Sequence, residues 1–340
     1  MAENSNIEWC DHTFNPWRGC TKVSAGCAHC YAETLSKRNP KLLGEWGKGG
    51  PRVLASDEMW RQPLKWNKRL TYECPSCSTL FPNVTTGNQG VCDCTTGGSV
   101  CHPLRPKVFC ASLADWLDDE VPIEWLARLL ALIYVTPNLD WLLLTKRPEN
   151  WRSRIEKCLI LEQGGDPQDV HYFEKHDGQF PTTLHACWLN DWTGDEPPNN
   201  VWLGTSVEDQ VAADARIPAL LKIPAKVRFL SCEPLLGPVD LTDLVVKDGK
   251  PGEWHVNSLD NEGLHPSDDE AFKLATIYWV IAGGESGPGA RPMEAEWARS
   301  LRDQCNAAGV PFLFKQWGGT NKKATGRLLD GRTWDKFPKL

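Results

Sequence analysis

The chain has 340 residues, 41% of them hydrophobic and 24% charged, proportions of a globular protein with ample length for a core. No stretch approaches the roughly 20 apolar residues that span a bilayer, and Met-Ala-Glu-Asn-Ser-Asn at the start has neither the basic flank nor the apolar core of a signal peptide. A cytoplasmic protein with no membrane partner is therefore expected. The net charge of −7, from 37 basic and 44 acidic residues, argues against a protein that coats a nucleic-acid backbone, though not against one nucleotide entering a locally basic pocket.

Fourteen cysteines in a cytosolic chain of this length point to metal or cluster binding rather than disulfides. Seventeen tryptophans are expected mostly in the core and in seams between helices, with a few left to stack on a base or an adenine ring.

Residues 7–20 read as a short strand turning into a loop that carries Cys20, Cys27 and Cys30, spaced C-x6-C-x2-C, with Tyr31 after the last thiol. Residues 31–38 continue as a helix that stops before Asn39-Pro40. A tetrahedral zinc site or an ordinary iron–sulfur cluster takes four protein ligands, and no fourth cysteine follows nearby. Three thiolates would hold three irons of a [4Fe–4S] cube and leave the fourth open to a small molecule. That is the logic of radical S-adenosylmethionine (SAM) enzymes, whose usual spacing is C-x3-C-x2-C. The alternative is a zinc loop completed by Cys10, His12 or His29, or a set of buried structural thiols. Residues 44–53 read as a loop and 52–55 as a short second strand.

Residues 72–102 form a cysteine-rich insertion. Cys74-Pro-Ser-Cys77 is followed, after a turn-rich spacer, by Cys92-Asp-Cys94 and then Cys101-His102. Two close pairs separated in this way predict a small zinc ribbon with Cys74, Cys77, Cys92 and Cys94 as ligands. Because the second pair is C-x-C, Cys101 or His102 could take the place of one ligand. Such a zinc would be structural, since four protein ligands leave no open position.

Short, nearly continuous apolar runs then recur at 107–112, 140–146, 200–206, 227–233, 277–283 and 310–315, the pattern of strands buried on both faces of a parallel sheet. Helical patterns at 123–134 and 293–308 lie between them. The alternation predicts an α/β fold, a partial or complete (β/α) TIM-like barrel over 1–340 as one domain, with polar insertions at 160–199 and 245–275.

Polar residues end these runs. They include Ser112 and Asp115, Lys146 and Arg147, Ser206 and Glu208, Glu233, then Gly283, Gly284 and Glu285, and Lys315 with Gln316. In a (β/α) barrel the C-terminal strand ends share one face, where active sites sit, and the cysteine loop follows the first strand at the same place. Lys146 or Arg147 would pair the SAM carboxylate, and Ser112, Asp115, Ser206 or Glu208 would bond the ribose hydroxyls. The glycines would admit a ligand close to backbone, while Glu233 and Glu285 would bind substrate or the charged end of SAM. A radical relay through Cys232 or Cys110 is conceivable, against the usual inertness of buried cysteine.

The segments Ile7-Glu-Trp, Phe14-Asn-Pro-Trp-Arg-Gly-Cys20 and Gly26-Cys-Ala-His-Cys-Tyr-Ala-Glu33 jointly resemble a phage and bacterial family of radical-SAM-like proteins. So do Leu144-Thr-Lys-Arg-Pro148, Val201-Trp-Leu-Gly-Thr-Ser-Val-Glu208, Ser231-Cys-Glu-Pro-Leu235, Gly283-Gly-Glu-Ser286 and Phe314-Lys-Gln-Trp317. The family is distantly similar to spore photoproduct lyase, which acts on a thymine lesion, and some members are associated with modified thymine in phage DNA. The resemblance implies a barrel of radical SAM type, a [4Fe–4S] cluster on Cys20, Cys27 and Cys30, SAM as cofactor, and an electron donor as partner. Cys10, where threonine is usual, is taken as incidental, and the zinc-ribbon-like insertion is not a general feature of the family.

The expected activity is reductive cleavage of SAM to a 5′-deoxyadenosyl radical that takes a hydrogen atom from a nucleobase, a modified thymine in DNA being favoured. The rival is a zinc-bound module that binds nucleic acid or protein without radical chemistry. A hydrolase using the strand-end carboxylates ranks last, having no nucleophile or ligand motif behind it.

Overall fold

Apolar runs rich in Trp, Leu, Val, Ile and Phe make the seven strands of the central sheet: β1 His12–Phe14, β2 Lys107–Cys110, β3 Asp140–Thr145, β4 Val201–Ser206, β5 Val227–Cys232, β6 Trp279–Gly283 and β7 Phe312–Gln316. Every pairing is parallel and every strand neighbours its successor, so the order across the sheet is β1 to β7. The computed structural model describes residues 3–74, 76–84, 91–92, 99–164, 186–246, 254–260 and 275–339.

The crossovers carry α1 Tyr31–Arg38 and α2 Asp57–Trp66 after β1, α3 Ile123–Tyr134 after β2, and α4 Trp151–Gly164 with α5 Ala186–Thr193 after β3. Then come α6 Gln210–Leu221 after β4 and α7 Ala295–Ala307 after β6. The Asp209 side chain caps α6 by accepting from the Ala212 N–H at 2.9 Å. No described helix is long and apolar enough to cross a membrane.

The sheet curls into a half-barrel with a core on each face. The outer core packs the helices against the convex side, with Trp60, Trp116, Trp141, Trp151 and Trp192 among its members. The inner core joins Phe109, Leu142, Trp202, Phe229, Trp279, Ile281 and Leu313 around Trp9, which precedes β1. The Trp9 ring lies 4.4 Å from Phe109 on β2 and 6.5 Å from Trp279 on β6. In a flat sheet those strands would stand four spacings, roughly 19 Å, apart, so one indole touching both requires the curl. Gly204 permits it, because a Cβ there would overlap the Phe229 ring. Most of the tryptophans are thus structural; of the cavity described below, Trp9 and Trp46 line the wall.

Some elements depart from the expected pattern. The short strand Val53–Leu54 pairs antiparallel with Trp17–Arg18, outside the central sheet. Helix α2 lies outside the expected helices and carries Pro63 in its interior, a residue that argues against a helix in sequence. Between β5 and β6, Leu244–Val246 pairs antiparallel with Trp254–Val256. In the cysteine-rich insertion Leu70–Glu73 is the middle strand of an antiparallel sheet between Leu80–Val84 and His102–Leu104. Cys94, expected as a zinc ligand, lies outside the described residues, as do His171, His176 and His185.

Candidate functional site

Side chains alternate across a strand, and here the inward set switches from apolar to polar at the C-terminal end. On β4 the inward positions are Trp202, Gly204 and Ser206; from β5 onward they are Phe229, Ser231 and Glu233; on β7 they are Leu313 and Lys315. The polar ends surround a cavity of about 410 Å³ with Trp9 in its wall. Its lining includes Cys20, Cys27 and Cys30, together with Tyr31, Ser112, Asp115, Lys146 and Arg147, and across the mouth Ser206, Glu233, Gly284 and Glu285. Glu208 and Gly283 do not line it.

Three acids at strand ends tie the cysteine loop down at three points. Asp115 accepts from Arg147 Nη1 at 2.8 Å, Thr145 Oγ1 at 2.6 Å and the Lys146 N–H at 2.9 Å. Arg147 in turn donates to the Thr21 carbonyl at 2.5 Å and approaches Cys20 Sγ at 3.8 Å. Arg52 grips the same stretch, donating to Thr21 Oγ1 at 2.7 Å and Asp118 at 2.8 Å. Glu208, fully buried, pairs with Arg216 at 2.7 Å and accepts from the Gly26 N–H at 3.4 Å. Glu285 pairs with His29 Nδ1 at 3.0 Å and Arg291 Nε at 2.9 Å, and Arg291 reaches the Ala25 carbonyl at 3.0 Å.

These contacts revise several expected roles. Arg147 faces Asp115 and the loop rather than a free carboxylate, and Asp115 and Glu208 have their oxygens filled by protein donors, leaving them as loop anchors rather than ribose partners. The glycines serve packing: a Cβ at Gly283 would run into the Glu233 carboxylate, and one at Gly284 into the Trp317 carbonyl. Ser112 exchanges hydrogen bonds with Asn15, and its carbonyl accepts from the Tyr31 hydroxyl.

Lys146 stands apart. Of the cavity's cations, Lys22 pairs with Glu33, Arg147 with Asp115 and Lys315 with Glu233 at 3.1 Å. No carboxylate among the described residues comes within ion-pair distance of Lys146, although it stands near enough to Cys30 and Glu208 to influence both.

The loop's thiols are not arranged like ligands of one ion. Among the described residues, the group of three cysteines whose sulfurs all lie within 4.8 Å of one another is Cys74, Cys77 and Cys92. Thiolates on different irons of a cube stand wider apart, being separated by the cluster itself. Cys10 and His12 sit at the opposite end of β1, where His12 stacks on Trp66 at 4.3 Å, and His29 is held by Glu285. Cys10 and His12 are therefore not placed to complete a zinc loop, whereas His29 lines the cavity with the three thiols. Burial pushes the Cys20 thiol up to about 12, with Asp115 adding to the shift and Arg147 opposing it, and burial also raises Cys30. As free thiols these are poor nucleophiles. Cys110 and Cys232 are fully buried, raised by burial, and outside the cavity wall.

Sequence reasoning missed Arg52, Arg216 and Arg291, which hold the loop, Asn15, which holds Ser112 and Leu113, and Trp46 in the wall. For Arg216 a signal was available, since it follows Glu208 by eight residues, about two helical turns. The chain matches, over residues 4–338, the family described as "Protein of unknown function (DUF5131)". No curated protein matches it, and no solved structure does.

Proposed function

The chain belongs to the DUF5131 family, and from its site we propose that it is a radical SAM enzyme with a [4Fe–4S] cluster on Cys20, Cys27 and Cys30. The observation that carries this is one cavity, at the C-terminal mouth of a parallel half-barrel, lined by a three-thiol loop and by a lysine with no ion-pair partner among the described residues. The residues present fit the group. Three thiols in one cavity wall offer one ligand to each of three irons, and about 410 Å³ falls within the roughly 300–1,000 Å³ of small-molecule sites. Bound there, the cluster and SAM supply a 5′-deoxyadenosyl radical that abstracts a hydrogen atom from an unreactive carbon.

The chain's own residues position and shield. Lys146 offers its ammonium to the SAM carboxylate, and Ser206 and Ser231 present hydroxyls to a ribose or base. Glu233 beside Lys315 sets an acceptor next to a donor in the same wall, a pair that matches the alternating carbonyl and N–H edge of a pyrimidine. Trp46, half-buried in the wall, offers a stacking face. With the resemblance to thymine-acting proteins, this favours a thymine, modified or not, in DNA. A base in duplex would have to be flipped out, at a cost of roughly a few kcal/mol.

Anaerobic reconstitution with iron and sulfide tests the class: a cluster absorbing in the visible is expected, lost in Cys27→Ala, with 5′-deoxyadenosine released from SAM under reductant. Two zincs and no iron in anaerobically prepared protein would instead favour a binding module. Nucleoside mass spectrometry of DNA from cells with active and Cys27→Ala protein tests the substrate.

A further inference from the structure

The insertion holds a second cysteine group that the proposed activity does not use. Cys74 and Cys77 lie on one tight turn, in which the Cys74 N–H donates to the Thr79 carbonyl at 3.0 Å and the Ser78 N–H to the Cys74 carbonyl at 2.8 Å. Cys92 closes on them, its sulfur 3.6 Å from that of Cys77. Two thiolates sharing a tetrahedral zinc at Zn–S of about 2.3 Å stand roughly 3.8 Å apart, so this edge already has the length of one side of a zinc tetrahedron.

The strand register brings a fourth thiol beside Cys74, one that stands outside the group of three within 4.8 Å of one another. Thr71 pairs with Leu104, Tyr72 with Pro103 and Glu73 with His102. One step further along the same ladder sets Cys74 opposite Cys101, and directly opposed residues project to the same face. The Cys101 thiol accordingly lies in hydrogen-bond reach of the Cys74 sulfur, and the Cys92 N–H donates to the Cys101 sulfur. His102 pairs with Glu73, one position out of this set.

The packing also calls for a metal. The insertion's described buried cluster is Tyr72, Cys74, Cys92 and Cys101, with Phe81 against it, separate from both barrel cores. Three of the five described residues in this core are cysteines, a composition suited to a small unit held by a metal.

We propose that Cys74, Cys77, Cys92 and Cys101 form a closed four-thiolate zinc site, with Cys101 and not Cys94 as the fourth ligand. All four positions being protein, the ion is structural and folds the insertion.

Zinc analysis of the purified full-length protein tests this. One zinc per chain is expected, retained under a competing chelator in Cys94→Ser and in Cys27→Ala, and lowered at least about fivefold in Cys101→Ser. Retention in Cys101→Ser with loss in Cys94→Ser would overturn the assignment, as would a wild-type chain without zinc after growth with zinc supplied. Should Cys101→Ser fail to fold, cobalt substitution of the wild type and of Cys94→Ser decides. Identical four-thiolate charge-transfer absorption supports Cys101, and a weakened band in Cys94→Ser refutes it.

Discussion

Lys146 and Arg147 are adjacent in sequence and opposite in circumstance, which makes them a sensitive pair for mutation. Removing Arg147 strips a buried carboxylate of its partner, so Arg147→Ala should cost about 3–5 kcal/mol of stability and release the loop carrying Cys20, read as lost iron content after reconstitution. Arg147→Lys should rescue little, because one ammonium cannot span Asp115, the Thr21 carbonyl and Cys20 at once. Lys146→Ala should instead retain the cluster and weaken SAM about 10- to 100-fold, the worth of one charged hydrogen bond, measured by anaerobic titration. Unchanged SAM affinity would remove Lys146 from the site.

At Glu285 the residue scale extends to pH. Burial raises its pKa, but hydrogen bonds from Arg291 and His29 outweigh it and bring the folded value from 4.5 to about 2. A carboxylate depressed in this way contributes its full stability above the unfolded value, and the contribution is lost as pH falls toward the folded one. The stability gap between wild type and Glu285→Gln should be on the order of 3 kcal/mol near neutrality. It should narrow between about pH 4.5 and about pH 2, as urea unfolding at stepped pH would show.

Among the elements, the strands were the most legible, since each is an apolar run buried on both faces and the buried pattern of β3 to β7 follows from composition alone. Polar strand ends could be read as the rim of a site, but their individual roles could not. Whether Asp115 meets a ligand or Arg147, or whether Gly284 faces solvent or the Trp317 carbonyl, depends on contacts between distant segments that no local pattern encodes. The glycines show this best. Gly284→Ala must push the ends of β6 and β7 apart, and Gly204→Ala must displace the buried Phe229 ring. Each should cost about 1–3 kcal/mol by overpacking, but only Gly284→Ala should also reduce SAM binding, because its end of β6 lines the cavity. Denaturant titration beside SAM titration separates the two.

Over the whole molecule, the insertion has sheets and a core of its own. Its five described strands pair with one another in two antiparallel sheets, and its buried cluster is distinct from the barrel's two cores. A chelator that strips the proposed zinc should speed amide hydrogen exchange across residues 70–104 while β3 and β4 keep their protection. Loss of protection in both would mean that the barrel relies on the insertion for its own stability.

The three anchors of the cysteine loop also impose an order in time. Gly26 and Glu208 are 182 residues apart, and His29 and Glu285 are 256 apart. At roughly 5–20 residues per second on the ribosome, His29 waits about 10–50 s for its partner to be made. For that interval the thiols emerge with no fixed geometry and every opportunity to oxidise or to capture stray metal. On the proposed function, iron would be delivered to a finished barrel rather than a nascent chain, and growth conditions that slow translation or admit oxygen should lower the fraction of protein that carries it.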